Sequence, residues 1–359
     1  MRVHVSDLKE GDLLVSDTFN DYGLHVLSKG TQLQHREISL LLQHHIEYVD
    51  VDNDRATEAA ATPEPSPERT LESIVSPNWL PSVRPDYEKA VKGFEDIYNQ
   101  ATNEGVLNND AVMNAFKPLI SNFEMERDVV SMLLLLNTTD DYTYQHSVQV
   151  GMLAYYLATW LEYSDEEALQ IGKAGFLHDI GKSKVESAIL NKPAKLTKEE
   201  FEEVKKHAQY GHDIITESID EEPFLAVSAL QHHERNDGSG YPHGLTGEEI
   251  HPVAKIIAVV DIYSAMISER VYQKKRDLLF VLKELYRLSF SELDPHIAQT
   301  FIKHMIPNFI GKKALLESGE TGTIIMTHPT EFFCPLIQIG DRFIDLTVER
   351  EYEIKEIII

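Results

Sequence analysis

The segment GFLHDIGK, residues 175–182, places a histidine and an aspartate side by side at His178 and Asp179. Further histidines and one aspartate lie around this pair at near-regular intervals, at His146, His207, His232, His233 and Asp261. The successive gaps are 32, 29, 25 and 28 residues, each about one helix and its connection. A helical bundle threaded at that interval brings one or two side chains per helix to a common centre. The spacing therefore predicts a mainly α fold with a shared site.

The residue types at these positions indicate a metal site. Neutral imidazoles and carboxylates suit Mn, Fe, Co, Ni or Zn, and one carboxylate can bridge two ions. Asp261 lies in the apolar helical run AKIIAVVDIYSAM, residues 254–266, where a lone carboxylate is costly unless a cation compensates it. The alternative is that each histidine is an ordinary core residue, as we expect for the other histidines of the chain. The joint spacing of the whole set favours the metal site.

Composition and charge exclude several classes of protein. The 359 residues carry 33 basic and 59 acidic side chains, a formal net charge of −26, which argues against binding a DNA or RNA polymer because phosphate contacts need clustered lysine and arginine. No apolar run approaches the ~18–20 residues of a membrane span, and the start MRVHVSDLKEGD does not resemble a secretory signal. Cys334 is the single cysteine, so an internal disulfide is excluded. We expect a cytoplasmic globular protein.

Changes of pattern along the chain predict five stretches. Residues 1–54 have the pattern of a small α+β module, and residues 55–85 have the composition of an acidic, proline-rich linker. Helical periodicity then predicts helices over 86–310. The family resemblance given below implies their division into connecting helices over 86–137 and a helical domain over 138–310. Short strands separated by turns predict a small β-rich extension over 311–359. An apolar segment at 132–136 favours a homodimer formed through the connecting helices.

A glycine-rich loop, residues 235–248, separates two helical segments of the predicted domain. Gly238 and Gly240 permit positive φ angles and a close approach of the backbone to a ligand. Pro242 stiffens the end of the loop. The loop is longer than a plain connection between helices requires, which favours a binding role.

The sequence HDIGK at 178–182, followed by HHERNDGSGYP at 232–242, resembles the HD-GYP subgroup of the HD superfamily. Its members are bacterial phosphodiesterases that act on cyclic dinucleotides, chiefly cyclic di-GMP, and the resemblance covers roughly residues 138–310. It implies metal-dependent hydrolysis of cyclic di-GMP to linear pGpG in second-messenger signalling, with further conversion to GMP left open. Two alternatives stay open: cyclic GMP-AMP as the substrate, and a catalytically weak receptor that binds a nucleotide or a partner.

The resemblance also assigns roles to individual residues. The metal ligands that it implies are His146, His178, Asp179, His207, His232, His233 and Asp261. Asp179 would bridge two divalent ions, with iron or manganese expected and zinc, nickel or cobalt as alternatives. The catalytic residues would be Asp179 and Lys182, the latter meeting the scissile phosphate. The substrate-binding residues would be Lys182, Gly240, Tyr241 and Arg270.

Several positions depart from the family pattern. Ser264 stands where a second aspartate is usual, Ala208 replaces a proline, and Gln273 replaces an arginine. Some members carry a glutamate four residues before the first histidine, positioned to recruit a third ion. Here that residue is Tyr142, whose neutral phenol is a poor ligand. We therefore expect two ions and pGpG as the main product.

Overall fold

The computed structural model of the protein contains two compact units, Met1–Asn78 and Trp79–Ile359. The structure describes the following residues: 2–4, 8–9, 11–19, 25–33, 37, 41, 46, 48–52, 80–123, 142–192, 194–219, 222–267 and 278–358. Among them, no helix is both long and apolar enough to cross a membrane.

The first unit contains short antiparallel strand pairs. One pair joins β1 (Arg2–His4) to β4 (Tyr48–Asp50), and the other joins β2 (Thr18–Phe19) to β3 (His25–Leu27). A small apolar core of its own includes Leu14, Leu33, Leu41, Ile46, Val49 and Val51. These strands lie within the α+β module predicted over 1–54.

The second unit is built mainly of helices, which confirms the predicted fold class. In chain order they are α1 (Leu80–Glu104), α2 (Asn109–Phe123), α3 (Tyr142–Trp160), α4 (Asp165–Leu177), α5 (Ser187–Leu190), α6 (Lys198–Lys205), α7 (His207–Ser218), α8 (Pro223–Gln231), α9 (Pro252–Ile267), α10 (Leu278–Leu288) and α11 (Pro295–Met305). Short 3₁₀ segments cover Ile180–Lys184, Gly247–Glu249 and Ile306–Phe309. Helix α1 begins at Leu80, so the helical part starts before the boundary expected at residue 86.

Local sequence explains where several of these helices begin. Ser164 caps α4 and exchanges hydrogen bonds with Glu167, while Thr197 caps α6 and does the same with Glu200. Each pair satisfies backbone N–H groups that the first helical turn leaves without partners. The Asp294 side chain caps α11 by accepting hydrogen bonds from two backbone N–H groups of its first turn.

The C-terminal strands form one antiparallel sheet. They are β5 (Lys313–Leu316), β6 (Thr321–Met326), β7 (Leu336–Ile339), β8 (Arg342–Asp345) and β9 (Ile354–Ile358), in the spatial order β8-β7-β6-β5-β9. Alternate residues of these strands point inward. On this inner face Ala314, Ile324, Ile337 and Ile357 are buried in the same core as the helices. The sheet is therefore part of the second unit, and the outline of five separate stretches stays a prediction.

Helices α3 and α4 approach each other closely at glycines. A Cβ at Gly175 would lie 2.9 Å from both the Ala154 Cβ and the Val150 carbonyl oxygen. Phe176 packs edge-on against Phe94 below this contact, with ring centroids 5.0 Å apart. Helix α4 ends at Leu177, two residues after Gly175. The close contact at Gly175 therefore holds the residues that follow α4 against α3.

A second close contact lies just beyond α4. A Cβ at Gly181 would overlap the carbonyl oxygen of His207 and the backbone nitrogen of Gly211. The 3₁₀ segment at Gly181 and the first turn of α7 are thus in direct backbone contact, which only glycine allows. This contact brings the residues after α4 against the start of α7.

Candidate metal centre

Side chains from α3, α7 and α9, and from the residues that directly follow α4 and α8, converge in the interior of the second unit. All the positions expected to bind metal lie there: His146, His178, Asp179, His207, His232, His233 and Asp261. They include two groups whose nitrogen and oxygen atoms lie within 4.8 Å of one another, His146 with His178 and Asp179, and Asp179 with His207, His232 and His233. Asp261 extends the first group, since its Oδ1 lies 3.0 Å from Nε2 of His146.

Asp179 is common to both groups and presents one carboxylate oxygen to each. Its Oδ1 lies 3.3 Å from Nε2 of His207 and 3.8 Å from Nε2 of His232. Its Oδ2 lies 3.2 Å from Nε2 of His178 and 3.7 Å from Nε2 of His146. A carboxylate in this position can donate one oxygen to each of two ions, as a bridging ligand does.

Backbone carbonyls fix the tautomer of three imidazoles. Nδ1 lies 2.7 Å from the Gly175 oxygen in His178, 2.6 Å from the Val204 oxygen in His207 and 2.8 Å from the Ala229 oxygen in His232. A carbonyl oxygen only accepts hydrogen bonds, so Nδ1 carries the hydrogen in each ring. The lone pair is then on Nε2, the atom that faces the cluster, which is the arrangement found in metal-ligating histidines.

The two carboxyl groups are held in the charged form. Burial alone would raise the pKa of Asp179, but the Lys182 ammonium and the His178 imidazole outweigh it and keep the pKa well below its usual value. Burial also opposes ionisation of Asp261, where the hydrogen bond with His146 prevails and lowers the pKa well below its usual value. Both side chains are therefore carboxylates at neutral pH, the form that binds metal.

The two imidazoles that directly follow α8 are held in the neutral form. Burial and the positive charge that neighbouring imidazoles can carry lower the pKa of His232 to about 3. Burial and the adjacent His232 lower the pKa of His233 well below its usual value. A neutral ring, with a lone pair on one nitrogen, is the form in which histidine binds a transition metal.

These side chains fit transition-metal ions. Within the described residues, the buried atoms His178 Nε2 and Asp179 Oδ1 make no hydrogen bond. The Nε2 atoms of His207 and His232 lie 3.4 Å apart, and neither can donate to the other once both rings carry hydrogen on Nδ1. Leaving buried polar atoms without partners is unfavourable, and one cation in each of the two ligand groups would between them satisfy all four atoms.

Lys182 lies at the exposed side of this cluster. Its Nζ donates a hydrogen bond of 2.5 Å to Oδ2 of Asp179, and its side chain is 24% exposed. The prediction that Lys182 is held beside Asp179 agrees with this position. Arg270, Gln273 and the side chain of Tyr142 lie outside the described residues, as does the apolar segment at 132–136.

The glycine-rich loop places Tyr241 beside the cluster. The Tyr241 ring stacks on His233, with centroids 4.6 Å apart and planes inclined by 29°. Gly238 has a positive φ of 78°, as expected, whereas Gly240 does not adopt a positive φ. A Cβ at Gly240 would lie 2.5 Å from the Glu234 Cα, so the close approach at this glycine is to the start of the loop itself. The expectation of a positive φ at Gly240, with a close approach of its backbone to a ligand, is replaced by a close approach to the residues that precede the loop.

Glu234 is a structural residue of the loop to which the sequence interpretation gave no role. It is 2% exposed, and its carboxylate accepts hydrogen bonds from the backbone N–H groups of His243 (2.7 Å) and Leu245 (2.9 Å). The carboxylate thereby closes the loop around Tyr241. The available signal was an acidic residue between the paired histidines and a loop rich in backbone donors.

The part of the chain that holds these residues is similar to known proteins. Residues 129–297 match the family described as HD domain. A cyclic di-GMP phosphodiesterase of Pseudomonas aeruginosa is 37% identical over 207 residues, which cover 58% of this chain and 50% of that protein. A 3′3′-cGAMP-specific phosphodiesterase of Vibrio cholerae is 39% identical over 141 residues, which cover 39% of this chain and 30% of that protein. The chain thus spans half or less of the length of these relatives.

One solved structure has a similar fold. It is described as a HDG"Y"P protein from Bdellovibrio bacteriovorus and superposes with a TM-score of 0.50 at 14% sequence identity. The match covers 84% of this chain and 97% of that chain. At this identity the likeness concerns the fold alone.

Proposed function

Since residues 129–297 of this chain are an HD domain, as the sequence resemblance implied, we propose that the protein is a metal-dependent phosphodiesterase that hydrolyses cyclic di-GMP to linear pGpG. The observation that carries the proposal is the pair of ligand groups that share Asp179. Similarity to a cyclic di-GMP phosphodiesterase supports the choice of substrate class.

Two divalent ions, iron or manganese, would be held by the residues of the cluster. One ion would take His146, His178 and Asp261, the other would take His207, His232 and His233, and Asp179 would be shared. When bound, the ions supply Lewis acidity toward the phosphate oxygens and activate water for attack on phosphorus. The carboxylates of Asp179 and Asp261 and the neutral imidazoles of His232 and His233 need no change of protonation to bind the ions at neutral pH.

Lys182 would act on the phosphate directly. Its ammonium lies 2.5 Å from Asp179 and its side chain is 24% exposed, which supports a direct contact with a phosphodiester bound at the ions. A fixed positive charge there stabilises the negative charge that builds up on the non-bridging oxygens during hydrolysis. Such a local charge is needed because the chain as a whole carries a net charge of −26 and would repel an anionic substrate.

Cyclic GMP-AMP is the second candidate substrate. The specific observation in its favour is the 39% identity with a 3′3′-cGAMP-specific phosphodiesterase. A receptor without turnover is the third candidate, and the presence of every implied metal ligand weighs against it.

The proposal is tested with the purified protein loaded with Mn²⁺, or with Fe²⁺ under anaerobic conditions. It is incubated separately with cyclic di-GMP and cyclic GMP-AMP, and the products are separated by chromatography. We expect pGpG from cyclic di-GMP, with conversion to GMP slow or absent. Faster turnover of cyclic GMP-AMP would favour the second candidate, and binding of nucleotide without turnover would favour the receptor.

A matched pair of histidine variants on α7 separates the metal centre from general effects on this helix. His207→Ala removes a buried member of the cluster, while His212→Ala removes a partly exposed side chain that pairs with Asp213. We expect loss of activity and of bound metal in the first variant only. Equal activity in both would contradict the placement of the site.

A further inference from the structure

Two neighbouring lysines at the end of α6 differ in the exposure of their side chains. Lys205 and Lys206 each pair with the glutamate three residues earlier, at 2.7 Å and 2.5 Å respectively. The Lys205 side chain is 27% exposed, whereas that of Lys206 is 54% exposed. The reason is that Lys205 lies against aromatic rings, so the two lysines form a natural comparison.

The rings beside Lys205 come from α6 and from the glycine-rich loop. Its Nζ lies 4.9 Å from the ring centroid of Phe201 and 5.4 Å from that of Tyr241. Tyr241 in turn stacks on His233 of the metal centre. Phe201 is 46% exposed, which leaves much of its ring open to contact. An ammonium and an exposed ring therefore lie at the edge of the cluster, on the side of Tyr241.

The other cations described near the cluster are engaged differently. Lys182 binds Asp179 in the centre itself. The guanidinium of Arg235 donates hydrogen bonds to the backbone carbonyls of His232 and Glu234, which directs it into the base of the loop. The pairing of Lys205 with Glu202 is an ordinary ion pair at the surface, which a more strongly charged ligand can displace at low cost.

The substrate of the proposed reaction has two halves, each with a phosphodiester and a purine base. With one phosphodiester at the metal centre, a second cation and a second stacking surface nearby can bind the other half. A lysine serves as a point charge for phosphate, and an aromatic side chain stacks on any base. Lys205 and Phe201 supply these two groups side by side.

We propose that Phe201 and Lys205, next to Tyr241, form the subsite for the half of a cyclic dinucleotide that is not being cleaved. The Lys205 ammonium pairs with the second phosphate, and the exposed Phe201 ring stacks against the base. This assignment rests on the proposed phosphodiesterase function. It makes both residues determinants of substrate affinity and leaves the hydrolytic step to the metal centre.

The test compares charge and ring removal with matched controls in the metal-loaded full chain. Lys205→Met keeps the length of the side chain and removes its charge, and Lys206→Met is its control. Phe201→Ala removes the exposed ring, and Phe290→Ala is its control because Phe290 is 72% exposed and packs near Tyr286 of α10. Lys205→Arg restores a positive charge. Each variant is assayed with cyclic di-GMP and with bis(p-nitrophenyl) phosphate, a phosphodiester with one phosphate and no purine.

We expect Lys205→Met and Phe201→Ala each to raise the KM for cyclic di-GMP about tenfold, the change for a single lost ionic or stacking contact, with kcat unchanged. The kinetics of both variants with bis(p-nitrophenyl) phosphate should be unchanged. The controls Lys206→Met and Phe290→Ala should match the parent protein, and Lys205→Arg should recover most of the affinity for cyclic di-GMP. This split between KM and kcat would not arise if Lys205 merely supported the fold.

Three results would overturn the subsite. They are equal kinetics for Lys205→Met and Lys206→Met, a parallel loss with both substrates, and a fall in kcat with KM unchanged. If the parent protein hydrolyses neither substrate, the proposed function fails instead. The subsite is then decided by equilibrium dialysis with cyclic di-GMP, in which Lys205→Met should bind about tenfold more weakly than Lys206→Met.

Discussion

The hydroxyl oxygen of Ser264 lies 3.0 Å from Nδ1 of His146. It also donates a hydrogen bond of 3.1 Å to Oε1 of Gln149, and all three side chains are buried. With Nε2 of His146 as a metal ligand, Nδ1 carries the hydrogen, which the Ser264 oxygen accepts. The three imidazoles described above as fixed by backbone carbonyls have no such dependence on a side chain. The serine that replaces the usual aspartate therefore orients His146.

Replacing Ser264 should weaken metal binding. Ser264→Ala leaves Nδ1 of His146 without an acceptor, and loss of such a supporting hydrogen bond typically lowers metal affinity about 10- to 100-fold. Competition with a chelator measures the change, and Ser264→Thr, which keeps the hydroxyl, should restore binding. Ser228→Ala is the control, since the buried Ser228 hydroxyl makes no hydrogen bond within the described part of the chain. Equal metal retention in both alanine variants would contradict the role of Ser264.

Removing Asp179 should abolish hydrolysis and lower the bound metal. Asp179→Ala deletes the carboxylate that faces both ligand groups, so neither ion keeps its full set of ligands. The metal content measured by elemental analysis should fall from two ions per chain to fewer than one. Asp213→Ala, an exposed carboxylate on α7, should retain both ions and activity. Full metal content with normal turnover in Asp179→Ala would refute the bridging role, and three ions in the parent protein would refute the count.

Replacing Glu234 should affect the substrate and spare the metal. Glu234→Gln leaves one of the backbone N–H groups of His243 and Leu245 without its acceptor, a cost of about 1–3 kcal/mol that loosens the loop around Tyr241. We expect a higher KM for cyclic di-GMP, up to the value of Tyr241→Ala, with unchanged metal content. Glu249→Gln, which changes an exposed carboxylate that caps the 3₁₀ segment at the end of the loop, should have little effect. A loss of metal in either loop variant would show that the loop supports the metal centre itself.

The metal-free protein should lose stability as the pH falls below about 6.5, the ordinary pKa of histidine. Burial lowers the folded-state pKa of His146, His207 and His233, and that of His232 to about 3, so the unfolded chain takes up protons that the folded protein does not. Each such imidazole lowers the free energy of unfolding by at most about 1.4 kcal/mol per pH unit, over the pH range between its folded and its unfolded pKa. His178 opposes this trend: burial alone would lower its pKa, but Asp179 raises it.

Denaturant unfolding of chelator-treated protein at pH 7.5 and 5.5 measures this slope. The free energy of unfolding should be smaller at pH 5.5, and His232→Asn should reduce the difference because it removes one buried neutral imidazole. A free energy that is constant over this range, or larger at pH 5.5, would contradict the prediction. Below about pH 4 a further loss is expected as Asp179 and Asp261, whose folded pKa values are depressed, take up protons on unfolding.

The sequence by itself determined the helical bundle and the members of the cluster. Capping boxes at Ser164 and Thr197 depend on residues three positions apart, and the interval between the ligand candidates depends on the length of a helix and its connection. Such features are local or periodic, so they can be identified without knowing how the helices pack. The metal ligation of the cluster stays a prediction that the geometry supports.

Only the tertiary structure decided which atom faces which partner. His146 and Ser264 are 118 residues apart, and their contact depends on how α3 packs against α9. The backbone contact between Gly181 and the first turn of α7 brings Asp179 close to His207, a residue distant from it in sequence. Lys205 and Tyr241 are likewise distant in sequence and close in the fold. Distances of 3–5 Å between such segments follow from the packing of whole helices, which no local pattern of residues encodes.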